Sequence, residues 1–240
     1  MRLLYDFKFF ASLRPVRRTL LRLCLGFLML TGGPVQAQST ARAELLSSIQ
    51  RDDAQGVRLA LLRGVDVNLR DDAGTPLIVL AAHDKSWRVL LALTDMRSVR
   101  LDATNAKGAN ALMYAALHGE MPIVRRLIER DAQVNKTGWT PLHFAASNGH
   151  NEVVSYLLEH HAYIDAESPN RTTPLMMAAR MKHASTVRLL LQEGADPTPV
   201  NQSGMSAADY ARTAGDPALG ASLADAAEAF RLKYKLPAKP

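Results

Sequence analysis

The seven histidines are the side chains of this sequence best suited to acid–base or metal chemistry. A metal centre needs three or four ligands that converge at fixed spacing, and the histidines do not supply such a spacing. His160 and His161 are adjacent in sequence and so point apart. The single cysteine, Cys24, sits inside an apolar run and forms no Cys-His pair. HExxH, a Gly-rich phosphate loop and a nucleophile elbow are all missing. The chain is therefore read as a non-enzyme, with no catalytic residue, no metal and no cofactor.

The spacing that does recur is of another kind. Thr140-Pro141-Leu142-His143 is echoed 33 residues later by Thr173-Pro174-Leu175-Met176, and again by Ser206-Ala207-Ala208-Asp209. A fixed period of this length marks an array of small units. Each unit reads as a helical hairpin. Thr140 before Pro141 suits a helix start, because the hydroxyl can cap free amides and proline fits the first turn. Leu142, Phe144, Ala145 and Ala146 then face a core, the paired alanines letting two helices approach closely. Gly149 stands where the first helix must end in left-handed backbone. Val153, Val154, Leu157 and Leu158 recur at helical spacing along the second helix. The residues that remain form an extended finger.

The stretch GWTPLHFAASNGHNEVVSYLLEHHAYID resembles the ankyrin repeat almost position by position. The resemblance implies an all-α ankyrin repeat solenoid of about six helix-turn-helix units with short β-hairpin fingers, at about 39–71, 72–105, 106–135, 136–168, 169–201 and 202–234. The first unit lacks the Thr-Pro-Leu-His signature and reads as an N-terminal cap. The second starts at Thr75-Pro76-Leu77, lacks the helix-ending glycine, and leaves its helix register open by one residue over 80–87. The third has a finger three residues short, since Asn110 to Thr140 is 30 and not 33. The sixth turns Ala- and charge-rich, as a C-terminal cap should, and a basic tail, 235–240, follows.

Ankyrin arrays bind partners on a concave side formed by finger tips and the exposed ends of the first helices, so the partner implied is a protein. The positions carried over are seven and eight past the unit's Thr and the one just before it. They give His83, Leu117, His118, Ser147, Asn148, Arg180 and Met181, with Trp139 and Thr172 on the fingers. Ala82 and Ala109 complete the set. Trp139 is the principal anchor, because a finger-tip aromatic has no core to enter and exposed Trp is a typical interface residue. The alternative folds Trp139 back over the neighbouring unit. By the same resemblance His143, His150 and His183 are structural, with His143 satisfying backbone groups between units. A column four past each Thr (Val79, Tyr114, Phe144, Met177 and Tyr210) is read as core, because the family has leucine there.

Residues 1–37 are set apart. Arg14, Arg17, Arg18 and Arg22 lead into an apolar run over 23–30, and Val35-Gln36-Ala37 offers a small-x-small cleavage pattern. The expectation is a Sec-type signal peptide cut after Ala37; Arg17-Arg18 resembles a twin-arginine signal only loosely. An anchoring helix is the alternative, but the run is short for a bilayer core of roughly 30 Å. The periplasm is the expected location, with secretion beyond it as the variant and no membrane attachment after cleavage. The leader holds six of the 29 basic groups and one of the 23 acids, so 23 against 22 remain. Arg231, Lys233, Lys235 and Lys239 place four of those charges in the last ten residues, which leaves a slightly acidic repeat body. Nucleic-acid binding needs a basic face on the folded body, so it is excluded. A monomeric protein-binding scaffold that stabilises or localises its partner is expected; the alternative is an inhibitor or immunity-type protein that occludes a partner enzyme's active site.

Overall fold

The structure, a computed structural model, describes residues 34–235 and 237, with side chains from Ser39 onward. The leader up to residue 33 and most of the basic tail therefore lie outside the described residues, and Ala37 falls within the first helix. Twelve helices occur among the described residues. They pair as α1 (Pro34–Gln50) with α2 (Ala54–Leu62), α3 (Leu77–His83) with α4 (Trp87–Thr94), and α5 (Ala111–His118) with α6 (Met121–Glu129). The second half continues with α7 (Pro141–Ser147) and α8 (Asn151–Glu159), α9 (Pro174–Arg180) and α10 (Ala184–Gln192), and α11 (Ala207–Thr213) and α12 (Pro217–Tyr234).

Successive hairpins stack into two layers. The first helices, α3, α5, α7, α9 and α11, pack side by side, and the second helices from α2 to α10 form the other layer. Alanine pairs set the close approach in the first layer. Ala81-Ala82, Ala115-Ala116, Ala145-Ala146 and Ala178-Ala179 are each fully buried. Leu142 and Val154 are buried between neighbouring hairpins, and Leu158 is half-buried against the same core. Each unit shields the oily faces of the next, so stability comes from nearest-neighbour burial without a crosslink.

Helix starts are capped by side chains of several types. Asn110 Oδ1 accepts from the Met113 amide at 3.0 Å, and Thr173 Oγ1 accepts from Met176 at 3.3 Å. Ser206 and Asp209 cap reciprocally: the hydroxyl accepts from the Asp209 amide while the carboxylate accepts from the Ser206 amide. Beyond the helix ends the chain turns through left-handed backbone at Gly119, Gly149 and Gly215, and also at Lys85 and Lys182.

The structure decides the register that the sequence leaves open and shows how the fingers are closed. The second unit runs one residue later than a frame taken from Thr75. Pro76, not Thr75, caps α3, which puts Ala81-Ala82 on the alanine pair and Lys85 at the glycine turn. Leu80 therefore takes the column position assigned to Val79, and Val79 is core. The fingers, read as short β-hairpins, carry only isolated bridges, Arg70 to Pro76 and Val200 to Ser206. Their tips close instead on one polar residue. The Asp71 amide donates to the Thr75 carbonyl while its carboxylate accepts from the Thr75 amide. Asn105, Ser168 and Asn201 close the third, fifth and sixth fingers in the same way.

Candidate protein-binding groove

The fourth finger has no such closed tip, because the three missing residues are the ones that would form it. Lys136 instead donates to the Gly108 carbonyl at 2.6 Å, which draws this finger toward the third. The shortened finger delivers Trp139 directly to the start of α7. Its ring lies 5.2 Å from that of His143, edge to face, and 6.3 Å from that of Phe144.

A groove of about 410 Å³ opens at this place. Tyr114 and Leu117 of α5, Phe144 of α7, and Met177 and Arg180 of α9 line it, with Lys107, Gly108, Ala109 and Trp139 on the finger side. The volume lies within the range of ligand pockets, roughly 300–1,000 Å³, and the lining is mainly aromatic and aliphatic. No acidic residue lines it.

Beneath the groove the units are tied by buried polar groups. His143 is fully buried. Its Nδ1 accepts from the Thr140 amide at 3.2 Å, which leaves Nε2–H to donate to the Thr172 carbonyl of the next unit at 2.9 Å. Burial lowers its pKa to about 4, so the ring is neutral at physiological pH and both nitrogens are occupied. His150 and His183 reach back to the preceding unit, their Nε2 atoms meeting the Leu117 and Ser147 carbonyls at 3.0 and 3.1 Å.

A second tie runs along the finger bases and was not singled out from sequence. Asn68, Asp102, Asn135 and Asp165 each accept, through Oδ1, from a backbone amide one unit on: Arg100, Gln133, Tyr163 and Asp196. Asn135 also donates to the His161 carbonyl. The recurrence of Asn or Asp three residues after Val65, Val99, Ala132 and Ala162 was the available signal.

The residues expected on the binding face separate into three groups. Leu117, Trp139 and Arg180 come together in the groove. His83, His118, Asn148 and Met181 lie on the rim of the first-helix layer. His83 and His118 pack edge-on against Tyr114 and Trp87. Asn148 donates to the Leu117 carbonyl at 2.7 Å, and Met181 is 46% exposed. Burial, then the nearby Lys85, lowers the pKa of His118. Ser147 and Thr172 do not present their side chains: they are 6% and 3% exposed. Ser147 donates to the Phe144 carbonyl because its helix turns inward there, and Thr172 is covered where its carbonyl receives His143.

The column read as core divides as well. Met177 is nearly buried, while Tyr114 and Phe144 are half-buried with one side open to the groove. Aromatics longer than leucine outgrow the interior at this position, and their surplus surface forms the groove floor. Among the described residues no group of three or more His, Cys, Asp or Glu side chains could hold a metal ion, and no helix is long and apolar enough to cross a membrane.

Comparison with known proteins agrees with this architecture. The sequence profile of ankyrin repeats (3 copies) matches residues 45–137, 80–168 and 126–201. The tyrosine-protein kinase Shark of Drosophila melanogaster is 32% identical over 174 residues, 71% of this chain but only 18% of the kinase. The ankyrin repeat protein YahD of Escherichia coli strain K12 is 27% identical over 183 residues, covering 72% of this chain and 90% of that one. The crystal structure of an ankyrin repeat domain from Acinetobacter baumannii AYE superposes with a TM-score of 0.65 at 24% identity, over 76% of this chain and 96% of that domain. The chain belongs to the ankyrin repeat family, whose fold is a protein-interaction scaffold and is not typically catalytic.

Proposed function

We propose that this chain is an exported, monomeric protein-binding scaffold that holds a partner protein in the groove between its third, fourth and fifth units. The observation that carries the reading is the apolar cleft floored by Tyr114 and Phe144 and flanked by Trp139, at the one finger whose closing tip is missing. Apolar surface left open beside a fixed aromatic favours association by removing that surface from water. The export part of the proposal rests on the basic-then-apolar leader and the Val35-Gln36-Ala37 pattern.

The binding reading is tested by placing a photo-crosslinking residue at Leu117 or Arg180 in the groove, and at Arg188 on the second-helix layer. One partner captured from the first two positions and not from the third supports it; equal capture from Arg188 ends it. Trp139→Ala is expected to weaken binding of that partner by about tenfold or more, with the helical signal retained. A captured enzyme that keeps its activity fits a scaffold, and one silenced at stoichiometric ratio makes the chain an inhibitor instead. Export predicts recovered protein that begins at Gln38; recovery solely with an intact leader would refute it.

A further inference from the structure

We propose that the groove selects an acidic peptide segment carrying a bulky apolar side chain, held in extended form with that side chain between Trp139, Phe144 and Met177 and its carboxylates toward Lys107 and Arg180. This deepens the binding function proposed above and rests on it.

The charge distribution argues for the occupant. The groove lining includes two cations, Lys107 and Arg180, and no anion. Both are exposed, and among the described residues neither pairs with a carboxylate. Arg42, Arg63, Arg88 and Arg126 each meet an acid at 2.6 to 3.0 Å, whereas Arg58, Arg97 and Arg188 are exposed and, among the described residues, unpaired like Lys107 and Arg180, so the groove is distinguished by the absence of any acid in its lining. The folded body as a whole is close to neutral, so a cleft edged only by positive charge stands out from its surroundings. Low-dielectric apolar walls beside the two cations strengthen their field on a bound anion.

The shape argues for a peptide with a bulky anchor. The cleft of about 410 Å³ is lined by the rings of Tyr114, Trp139 and Phe144 and by the flexible thioether of Met177. Methionine adapts to irregular apolar groups and makes favourable contacts with aromatic rings. Lys107 stands on the third finger and Arg180 at the end of α9, two units apart along the array. Charges so separated are met together by acids on an extended segment that crosses from one unit to the next.

A random decapeptide display library panned on the full chain tests the inference. Recovered peptides are expected to be net acidic with a Phe, Tyr, Trp or Leu, and to lose about tenfold in affinity when Lys107→Glu and Arg180→Glu are combined, with the loss shrinking at high salt. Lys107→Gln with Arg180→Gln, milder for folding, is expected to show a smaller loss of the same sign. Neutral or basic consensus peptides, no enrichment, or acidic peptides indifferent to both double variants would each overturn the proposal. The two readings fail separately: peptides sensitive to Trp139→Ala but not to the charge variants sink only acid selection, whereas peptides indifferent to both remove the groove itself.

Discussion

The imidazole of His150 occupies the space where a side chain on Gly119 would begin: a Cβ built on Gly119 falls 2.6 Å from His150 Nδ1. Gly149 and His183 repeat the relationship one unit on, at 2.7 Å. The glycine is thus required twice, for left-handed backbone at φ +71° and for the histidine that reaches past it to the Leu117 carbonyl. Gly119→Ala is expected to cost about 2–4 kcal/mol by combining backbone strain with overpacking. Gly204→Ala, at φ +75° with nothing within 4 Å, should cost about 1–2 kcal/mol from the backbone alone. Urea denaturation of the two variants separates the contributions; equal losses would deny the histidine its part.

Lys85 and Lys182 hold the same left-handed turn without being glycine, at φ +59° and +61°. In both cases the next unit's second helix is capped by an acid, Glu120 or Asp216, where a histidine would stand. With no ring to accommodate, the glycine is not sterically demanded and the strain is tolerated. Lys85→Gly and Lys182→Gly should each stabilise the fold by about 0.5–1 kcal/mol, the balance of relieved strain and added chain entropy. Thermal melting measures it, and a lower Tm for both would contradict the account.

His143 sets a pH dependence of definite sign. Its folded-state pKa is depressed to about 4 from the ordinary 6.5, so the folded state disfavours the proton that the unfolded chain accepts. Its stability contribution is complete above pH 6.5 and is lost as pH falls from there through 4, about 3 kcal/mol in all. The lowered pKa of His118 acts in the same direction. Asp165, raised by burial, acts in the opposite one, gaining stability as it protonates. His143→Met, which copies Met176 of the next unit, should flatten the fall in stability between pH 6.5 and 4. An unchanged slope would place the titrating group elsewhere.

Asn135 spans two units with both ends of its amide, donating to the His161 carbonyl at 2.7 Å and accepting from the Tyr163 amide at 2.8 Å. Asn135→Ala should cost about 1–3 kcal/mol, because two hydrogen bonds worth about 0.5–1.5 kcal/mol each are lost between the units. Asn135→Asp keeps the acceptor and loses the donor, so a smaller loss is expected at neutral pH. Hydrogen exchange at the Tyr163 amide gives a local reading: it should quicken in Asn135→Ala and stay protected in Asn135→Asp.

Much of this protein could be read along the chain because its interactions are local and repeat. The spacing from Thr140 to Thr173 to Ser206, the alanine pairs and the helix-ending glycines each act within one unit or between adjacent units. The period therefore states the architecture directly. The missing finger residues between Asn110 and Thr140 were visible in the same way. The register of the second unit was not, since Thr75-Pro76-Leu77 copies the signature one residue early and only the seating of Ala81-Ala82 between neighbours decides it. Nor could sequence show that Ser147 and Thr172 turn inward while Tyr114 and Phe144 keep one side in solvent. Exposure at those positions depends on how closely the adjoining hairpin and finger approach, a distance fixed by packing between units and not by residue type.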